Sequence, residues 1–234
     1  MTTFALVHGA WHGAWCWEQL TPLLRQAGHD VVTMDLPNED GTATFDTYAD
    51  VVCAALDSRG DDVVLVGHSY NGNTIPLVAA RRSVRHLVYL CAMVPDIGRS
   101  VFDQMSDELE MLNPVAYEQG LSVPDEQLRQ VWTDLDLACA MFYGDCDEAT
   151  TRAALERLRP QSAYPAILPS SLAEFPAVKT TYVACSDDQI LRPAWSRQTA
   201  RERLGAELIE LPGDHSPFYS RPSVLADVLL GLAS

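Results

Sequence analysis

Short, continuously apolar runs recur along the chain, and most are followed by stretches whose apolar residues fall three or four apart. The runs are Phe4–His8, Val31–Leu36, Val63–Gly67, His86–Met93, Thr180–Cys185 and Glu207–Leu211. They are rich in strand formers, and several are bounded by glycine, proline or paired aspartates, which is how buried strands read. Helical spacing covers Trp15–Ala27, Phe45–Arg59, Thr74–Arg82, Pro193–Leu204 and Pro222–Leu232. Strands without polar alternation are covered on both faces, as in a parallel sheet between helical layers. The pattern predicts an α/β fold on a mainly parallel sheet of about six strands, flanked by helices and joined by right-handed crossovers.

The alternation stops at Pro95 and resumes near residue 177. Between them lie three candidate helices, Asp103–Leu112, Asp125–Leu137 and Glu148–Leu158, punctuated by Pro114, Pro124, Pro160, Pro165 and Pro169. A segment that interrupts a βα series is read as an insertion over one end of the sheet. The expected organisation is a core of residues 1–95 and 177–234 with a helical cap formed by residues 96–176.

The composition narrows the function classes. At 234 residues, 47% hydrophobic and 21% charged, the chain suits one globular domain with an insertion. A formal net charge of −16 argues against nucleic acid and anionic membrane surfaces as partners and otherwise serves solubility. Cys16, Cys53, Cys91, Cys139, Cys146 and Cys185 form no CxxC pair and several sit in apolar runs. They read as reduced thiols, with no metal site. A strand begins almost at the first residue, without a signal-like or membrane-spanning stretch, so a cytoplasmic location is expected.

The densest chemistry follows the third run. Val63-Val64-Leu65-Val66 leads into Gly67-His68-Ser69-Tyr70-Asn71-Gly72, and helical spacing begins at Thr74. Strand, Gly-x-Ser, helix is the order that lifts a serine Oγ above the sheet edge on a sharp turn. Asn71 stands where the motif usually has its second glycine, with Gly72 one position later. A serine-capped βα turn would share the tripeptide, so the other loops decide. After the first run comes His8-Gly9-Ala10-Trp11-His12-Gly13, a turn that can aim the Ala10 N–H at a developing oxyanion beside the Tyr70 N–H. After the last run, Gly213-Asp214-His215 places an imidazole where it can serve Ser69 as general base. Asp187 and Asp188, after the fifth run, both qualify as the carboxylate that orients it. His8 and His12 read as loop braces near the site.

Phe4–Trp17, with Gly67-His68-Ser69-Tyr70 and Gly213-Asp214-His215, resembles the plant methylesterase and hydroxynitrile lyase branch of the α/β-hydrolases, which has bacterial esterase-like members. The likeness spans nearly the whole chain and is strongest in the first forty residues and around the three chemical positions. It implies the α/β-hydrolase fold, with Ser69 as nucleophile, His215 as base, and Ala10 and Tyr70 as oxyanion donors. It also implies Asp188 as acid, because Gln189-Ile190-Leu191 is similar to the turn that follows the acid in the branch. Lyases of the branch usually carry threonine at the place of Gly9 and lysine at the place of Ser216, so the resemblance points to the hydrolase side.

The expected function is therefore a serine carboxylesterase that cleaves a small or medium ester, methyl esters included, through an acyl-enzyme and without metal or cofactor. Trp11, His12, Trp132, Phe142 and Tyr143 are the candidate substrate contacts, with Met105 and Leu112 as further apolar wall residues. Two alternatives stay open: a lyase or secondary-metabolite-tailoring enzyme on the same fold, and a catalytically silent ligand-binding protein, which Asn71 keeps in view. The partner is a small molecule, and the branch often forms homodimers.

Overall fold

The computed structural model describes residues 1–113 and 119–233, so Pro114 lies outside the described residues. Its main sheet holds β1 (Thr3–Val7), β2 (Asp30–Thr33), β3 (Val63–His68), β4 (His86–Leu90), β7 (Lys179–Cys185) and β8 (Glu207–Leu211). Their order is β2-β1-β3-β4-β7-β8, with every pairing parallel. The expected six-stranded α/β architecture is the observed one. β1, β3 and β4 are buried along their whole length, as their unbroken apolar runs require. At the sheet edge, β8 exposes Glu207 and Glu210 and buries Leu211.

Helices α1 (Leu20–Gln26), α2 (Phe45–Ala55) and α3 (Ile75–Ala79) follow β1, β2 and β3. Between β4 and β7 lie α4 (Val101–Asp107), α5 (Leu135–Phe142), α6 (Glu148–Leu155) and α7 (Tyr164–Ile167). The same segment holds β5 (Arg129–Gln130) and β6 (Gln161–Ser162), a separate two-residue antiparallel ladder. α8 (Pro193–Glu202) follows β7, and α9 (Pro217–Ser220) and α10 (Pro222–Leu232) close the chain. α1 packs on α10, and α2 on α3. Among the described residues, no helix is long and apolar enough to cross a membrane.

Three expected helices are corrected. Asp125–Leu137 is not one helix. The Asp125 carboxylate accepts from the Gln127 and Arg129 N–H groups, both at 2.9 Å, and closes a turn. Leu128 then takes φ +56°, which no right-handed helix accommodates. Chain extension through β5 follows, and the helix starts only at Leu135, where Asp134 caps it by accepting from the Leu137 N–H. Asp103–Leu112 begins earlier, at Val101, where Ser100 and Asp103 form a capping box, and stops at Asp107. Leu112 instead bridges to Leu191 beside the end of β7. The expected helix Trp15–Ala27 is split into a 3-10 turn, Ala14–Trp17, and α1.

Strand order places the site. The chain steps from β1 outward to β2, then returns to β3 on the other side of β1. Loops leaving the carboxyl ends of β1 and β3 therefore diverge, and such a reversal opens a crevice where ligands bind. Those loops carry Ala10 and Ser69.

Candidate active site

Ser69 begins a 3-10 turn at the end of β3 with φ +55°, a left-handed conformation that costs a non-glycine residue about 1–2 kcal/mol. The surroundings hold it there. The Met93 N–H donates to the Ser69 carbonyl at 2.9 Å. Three residues on, a Cβ at Gly72 would lie 1.9 Å from the Met93 carbonyl oxygen, so only glycine fits the close approach to the segment after β4. That contact falls at position 72 rather than 71. Position 71 has room for a side chain, and Asn71 uses it. Fully buried, its Nδ2 donates to the His8 carbonyl at 2.6 Å, while its Oδ1 accepts from Thr74 Oγ1 at 2.7 Å. The residue that departs from the motif thus ties the serine turn to the end of β1.

His215 reaches Ser69 from the loop after β8. Ser69 Oγ lies 2.8 Å from His215 Nε2, and His215 Nδ1 donates to both Asp188 oxygens at 2.9 Å. Asp188 Oδ1 also accepts from the Ile190 and Leu191 N–H groups at 2.8 and 3.0 Å, which fixes the carboxylate behind the ring. Asp187 does something else. Exposed, it accepts from Ser186 Oγ at 2.7 Å and from the Gly213 N–H at 3.1 Å, latching the β7 loop to the β8 loop. His68 Nε2 donates to the His215 carbonyl at 2.9 Å. Burial, reinforced by the neighbouring His215 and His12, holds the His68 pKa well below the usual imidazole range, so this donor is neutral.

Asp214 sits beside this chain of contacts and accepts from the Asp145 N–H at 3.1 Å. Burial raises its carboxyl from an ordinary 3.8 to about 7. The neutral form is therefore favoured in the fold. Its contribution to stability is complete below about pH 4 and is lost as pH rises through about 7. Asp214→Asn, which fixes the neutral form, is expected to lessen the fall in Tm between pH 4 and pH 7. Unchanged slopes in parallel melting series would contradict this.

The loop after β1 is braced by two neutral histidines. Burial lowers His8 to about 4 and His12 to about 3. His8 accepts the Leu36 N–H at Nε2, 3.0 Å away, and donates from Nδ1 to the Gly9 carbonyl at 2.8 Å. His12 accepts the Tyr143 hydroxyl at 2.6 Å and donates to the Ala10 carbonyl at 2.8 Å. Trp11, at φ +60°, donates from Nε1 to the Gln130 carbonyl at 3.2 Å and so reaches the β5 ladder.

A cavity, partly open to solvent, lies over Ser69. Ala10, Trp11 and Tyr70 line it beside the serine, and Met105, Leu121 and Gln161 line it from the segment between β4 and β7. Of the expected substrate contacts, Trp11 and Met105 are there. His12, Trp132, Phe142, Tyr143 and Leu112 are not among the lining residues. Large apolar side chains gain more by packing than by facing a cavity. Trp132 and Phe142 stack edge-on at 5.1 Å, Trp132 meets Trp11 at 5.6 Å, and Phe142 meets His12 at 5.2 Å. This aromatic cluster supports Trp11 and, through Phe142 at 6.0 Å, the His215 ring. Sequence reasoning missed Met93, Leu121, Gln130 and Gln161 as lining residues. Only Met93 had a signal, its place at the carboxyl end of an apolar run.

Cys91 Sγ, the Asp188 carboxylate and a ring nitrogen of His215 lie within 4.8 Å of one another, a spacing that could hold a metal ion. The Asp188 and His215 atoms already bond to each other there. The arrangement as a whole offers a hydroxyl, an imidazole in contact with it and a buried carboxylate behind the ring, beside an apolar cavity. Such a set can run nucleophilic acyl transfer.

A model described as the alpha/beta hydrolase family matches residues 4–228. Norfluorocurarine synthase 2 of a Strychnos species is 30% identical over 97% of this chain and 93% of its own length. Methylesterase 2 of Arabidopsis thaliana is 28% identical over 98% of this chain and 95% of its own length. The crystal structure of a pyrethroid hydrolase from Sphingobium faniae JZ-2 superposes with a TM-score of 0.85 at 24% identity, covering 99% of this chain and 97% of that one.

Proposed function

The chain belongs to the alpha/beta hydrolase family, and from that premise we propose that it is a serine carboxylesterase acting on a small-molecule ester through an acyl-enzyme. One observation carries the reading: Ser69 Oγ sits 2.8 Å from His215 Nε2, while His215 Nδ1 is held by Asp188. Esterases and methylesterases among the relatives support it.

Ser69 Oγ attacks the ester carbonyl and passes its proton to His215 Nε2. Asp188 keeps the other ring nitrogen protonated and stabilises the imidazolium that forms. The Ala10 and Tyr70 N–H groups receive the oxyanion. Supporting this, both residues line the cavity beside Ser69, and the Ala10 N–H has no acceptor among the described residues. His215 then gives its proton to the departing alcohol, and water repeats the cycle on the acyl-enzyme. Residues 96–176 act as a cap, a role supported by the cavity wall they supply. Six free thiols fit a reducing, cytoplasmic setting.

The hydrolase reading is favoured over the lyase one by space. A Cβ at Gly9 would lie 2.7 Å from His68 Nδ1 and 3.0 Å from Ser69 Cβ, which leaves no room for the threonine that lyases of the branch carry. Ser216 brings no ammonium group next to His215.

A fluorophosphonate probe tests the reading without knowledge of the substrate. Mass mapping should find the label on Ser69. An unlabelled protein, or a label on another serine, would reject the assignment.

A further inference from the structure

Glycine at position 9 creates a need that its neighbours have to meet. A Cβ there would lie 2.7 Å from His68 Nδ1, so nothing larger fits, and glycine leaves the backbone around it free to turn. The carbonyls of His8, Gly9 and Ala10 nevertheless each accept a side-chain donor. They receive Asn71 Nδ2 at 2.6 Å, His8 Nδ1 at 2.8 Å and His12 Nδ1 at 2.8 Å. The Gly9 carbonyl also takes a longer bond, 3.4 Å, from the His12 N–H. The Gly9 carbonyl and the Ala10 N–H belong to one planar peptide group, so holding the oxygen aims the N–H. It also polarises the group, because an amide that accepts a hydrogen bond at oxygen donates more strongly at nitrogen. The Tyr70 N–H is served in the same way. The carbonyl of its peptide group, that of Ser69, accepts from the Met93 N–H at 2.9 Å. There the donor is backbone; at Gly9 the shorter bond comes from a side chain. The His8 tautomer is fixed by its partners. The ring is fully buried and neutral, and its Nε2 accepts the Leu36 N–H at 3.0 Å, so its proton is on Nδ1, against the Gly9 carbonyl.

We infer that His8 is a positioning residue for ester cleavage: through the Gly9 carbonyl it aims and polarises the Ala10 N–H that receives the oxyanion. It acts on the peptide group and not on the substrate. The benefit falls on the transition state, because the ester oxygen takes up negative charge only as Ser69 attacks. The inference rests on the esterase reading of the same site and adds the side chain that sets one of its oxyanion donors.

Two substitutions divide the ring between them. Asparagine places its amide near the position of Nδ1, and glutamine places its amide near that of Nε2. His8→Asn therefore keeps a donor for the Gly9 carbonyl and loses the acceptor for the Leu36 N–H, whereas His8→Gln does the reverse. The expected result is a kcat/KM for p-nitrophenyl acetate at least about tenfold lower in His8→Gln, a part of what losing a whole oxyanion donor costs. His8→Asn should stay within about threefold of the parent, with the lower Tm of the two showing the lost Leu36 contact. The matching thionoester, whose sulfur accepts hydrogen bonds poorly, supplies a reading that a merely structural role would not move. The preference for the oxygen ester should shrink in His8→Gln, since only that ester profits from the aimed N–H. Equal losses on the two esters, a parent-like His8→Gln, or a defect in His8→Asn as large as that in His8→Gln would each overturn the inference. If neither variant folds, nitrogen-15 resonances of the wild-type ring decide near neutral pH: a proton on Nδ1 supports the inference, and a proton on Nε2 overturns it. Wild-type hydrolysis of p-nitrophenyl acetate reports the esterase reading by itself. Its absence sinks that reading and His8 with it, whereas its presence beside a parent-like His8→Gln sinks only the role of His8.

Discussion

Ser69→Ala should lower kcat for p-nitrophenyl acetate by about 10⁴-fold or more while leaving the fold in place. The size follows from what is removed. Without the hydroxyl there is no covalent acyl-enzyme, His215 has no proton to take, and Asp188 orients a ring that serves nothing. The residues of such a unit act together, so one deletion costs nearly as much as several. What survives is the modest acceleration available to water held beside the oxyanion donors. Structural loss should be small. Alanine keeps the Cβ, so the contact of the serine turn with Gly9 is unchanged, and the Met93 bond runs to the residue-69 carbonyl, not to its side chain. Ser69 Oγ has one described partner, His215. Initial rates, with circular dichroism and a melting curve on the same samples, give the answer. A Ser69→Ala protein that hydrolyses the ester as fast as its parent would remove Ser69 from the chemistry.

Much of this architecture could be read from the chain because its signals are local and redundant. β1, β3 and β4 are apolar at nearly every position and stay buried at every position, a pattern that only a doubly covered parallel sheet explains. The serine turn, the glycine-rich loop and the late histidine were legible as separate loops. Their convergence follows from strand order, which alternation alone does not specify. The segment between β4 and β7 was less legible for a physical reason. Leu128, Val131, Trp132 and Leu135 fall at the spacing of a helix face. The Asp125 side chain and the left-handed Leu128 nevertheless break that helix locally. The two-residue ladder that replaces it is too short to have any periodicity. The cavity wall built on it, Gln130 and Gln161 included, was therefore hidden, and the conspicuous aromatics Trp132, Phe142 and Tyr143 drew the assignment instead.

Asn71 is the instructive case between these extremes. In the sequence it was a defect in a motif, and it kept a catalytically silent protein in view. The close approach that demands glycine falls at Gly72, and Asn71 fills the space beside it with two hydrogen bonds. One of them fastens the carbonyl of His8, two residues before Ala10. The substitution therefore braces the loop expected to bind the oxyanion, and the motif's departure gives no ground for reading the site as silent.

The second large effect separates two adjacent aspartates. Asp188→Asn should reduce kcat by about 10³–10⁴-fold, and Asp187→Asn by no more than a few-fold. An asparagine at 188 can still accept the Ile190 and Leu191 N–H groups through its oxygen, so the loop survives. Its NH₂ then faces His215 Nδ1, where two donors cannot meet. The ring responds by placing its proton on Nε2, which points at Ser69 Oγ and leaves no lone pair to accept the serine proton. Asp187 has no such leverage. Its carboxylate meets Ser186 and the Gly213 N–H, and an asparagine oxygen can accept both. Its loss is expected to show as a small drop in Tm rather than in kcat. Equal defects in the two variants would indicate that loop anchoring, and not control of the imidazole proton, sets the rate. A larger defect at 187 would move the acid by one residue and contradict the geometry in which only Asp188 touches the ring.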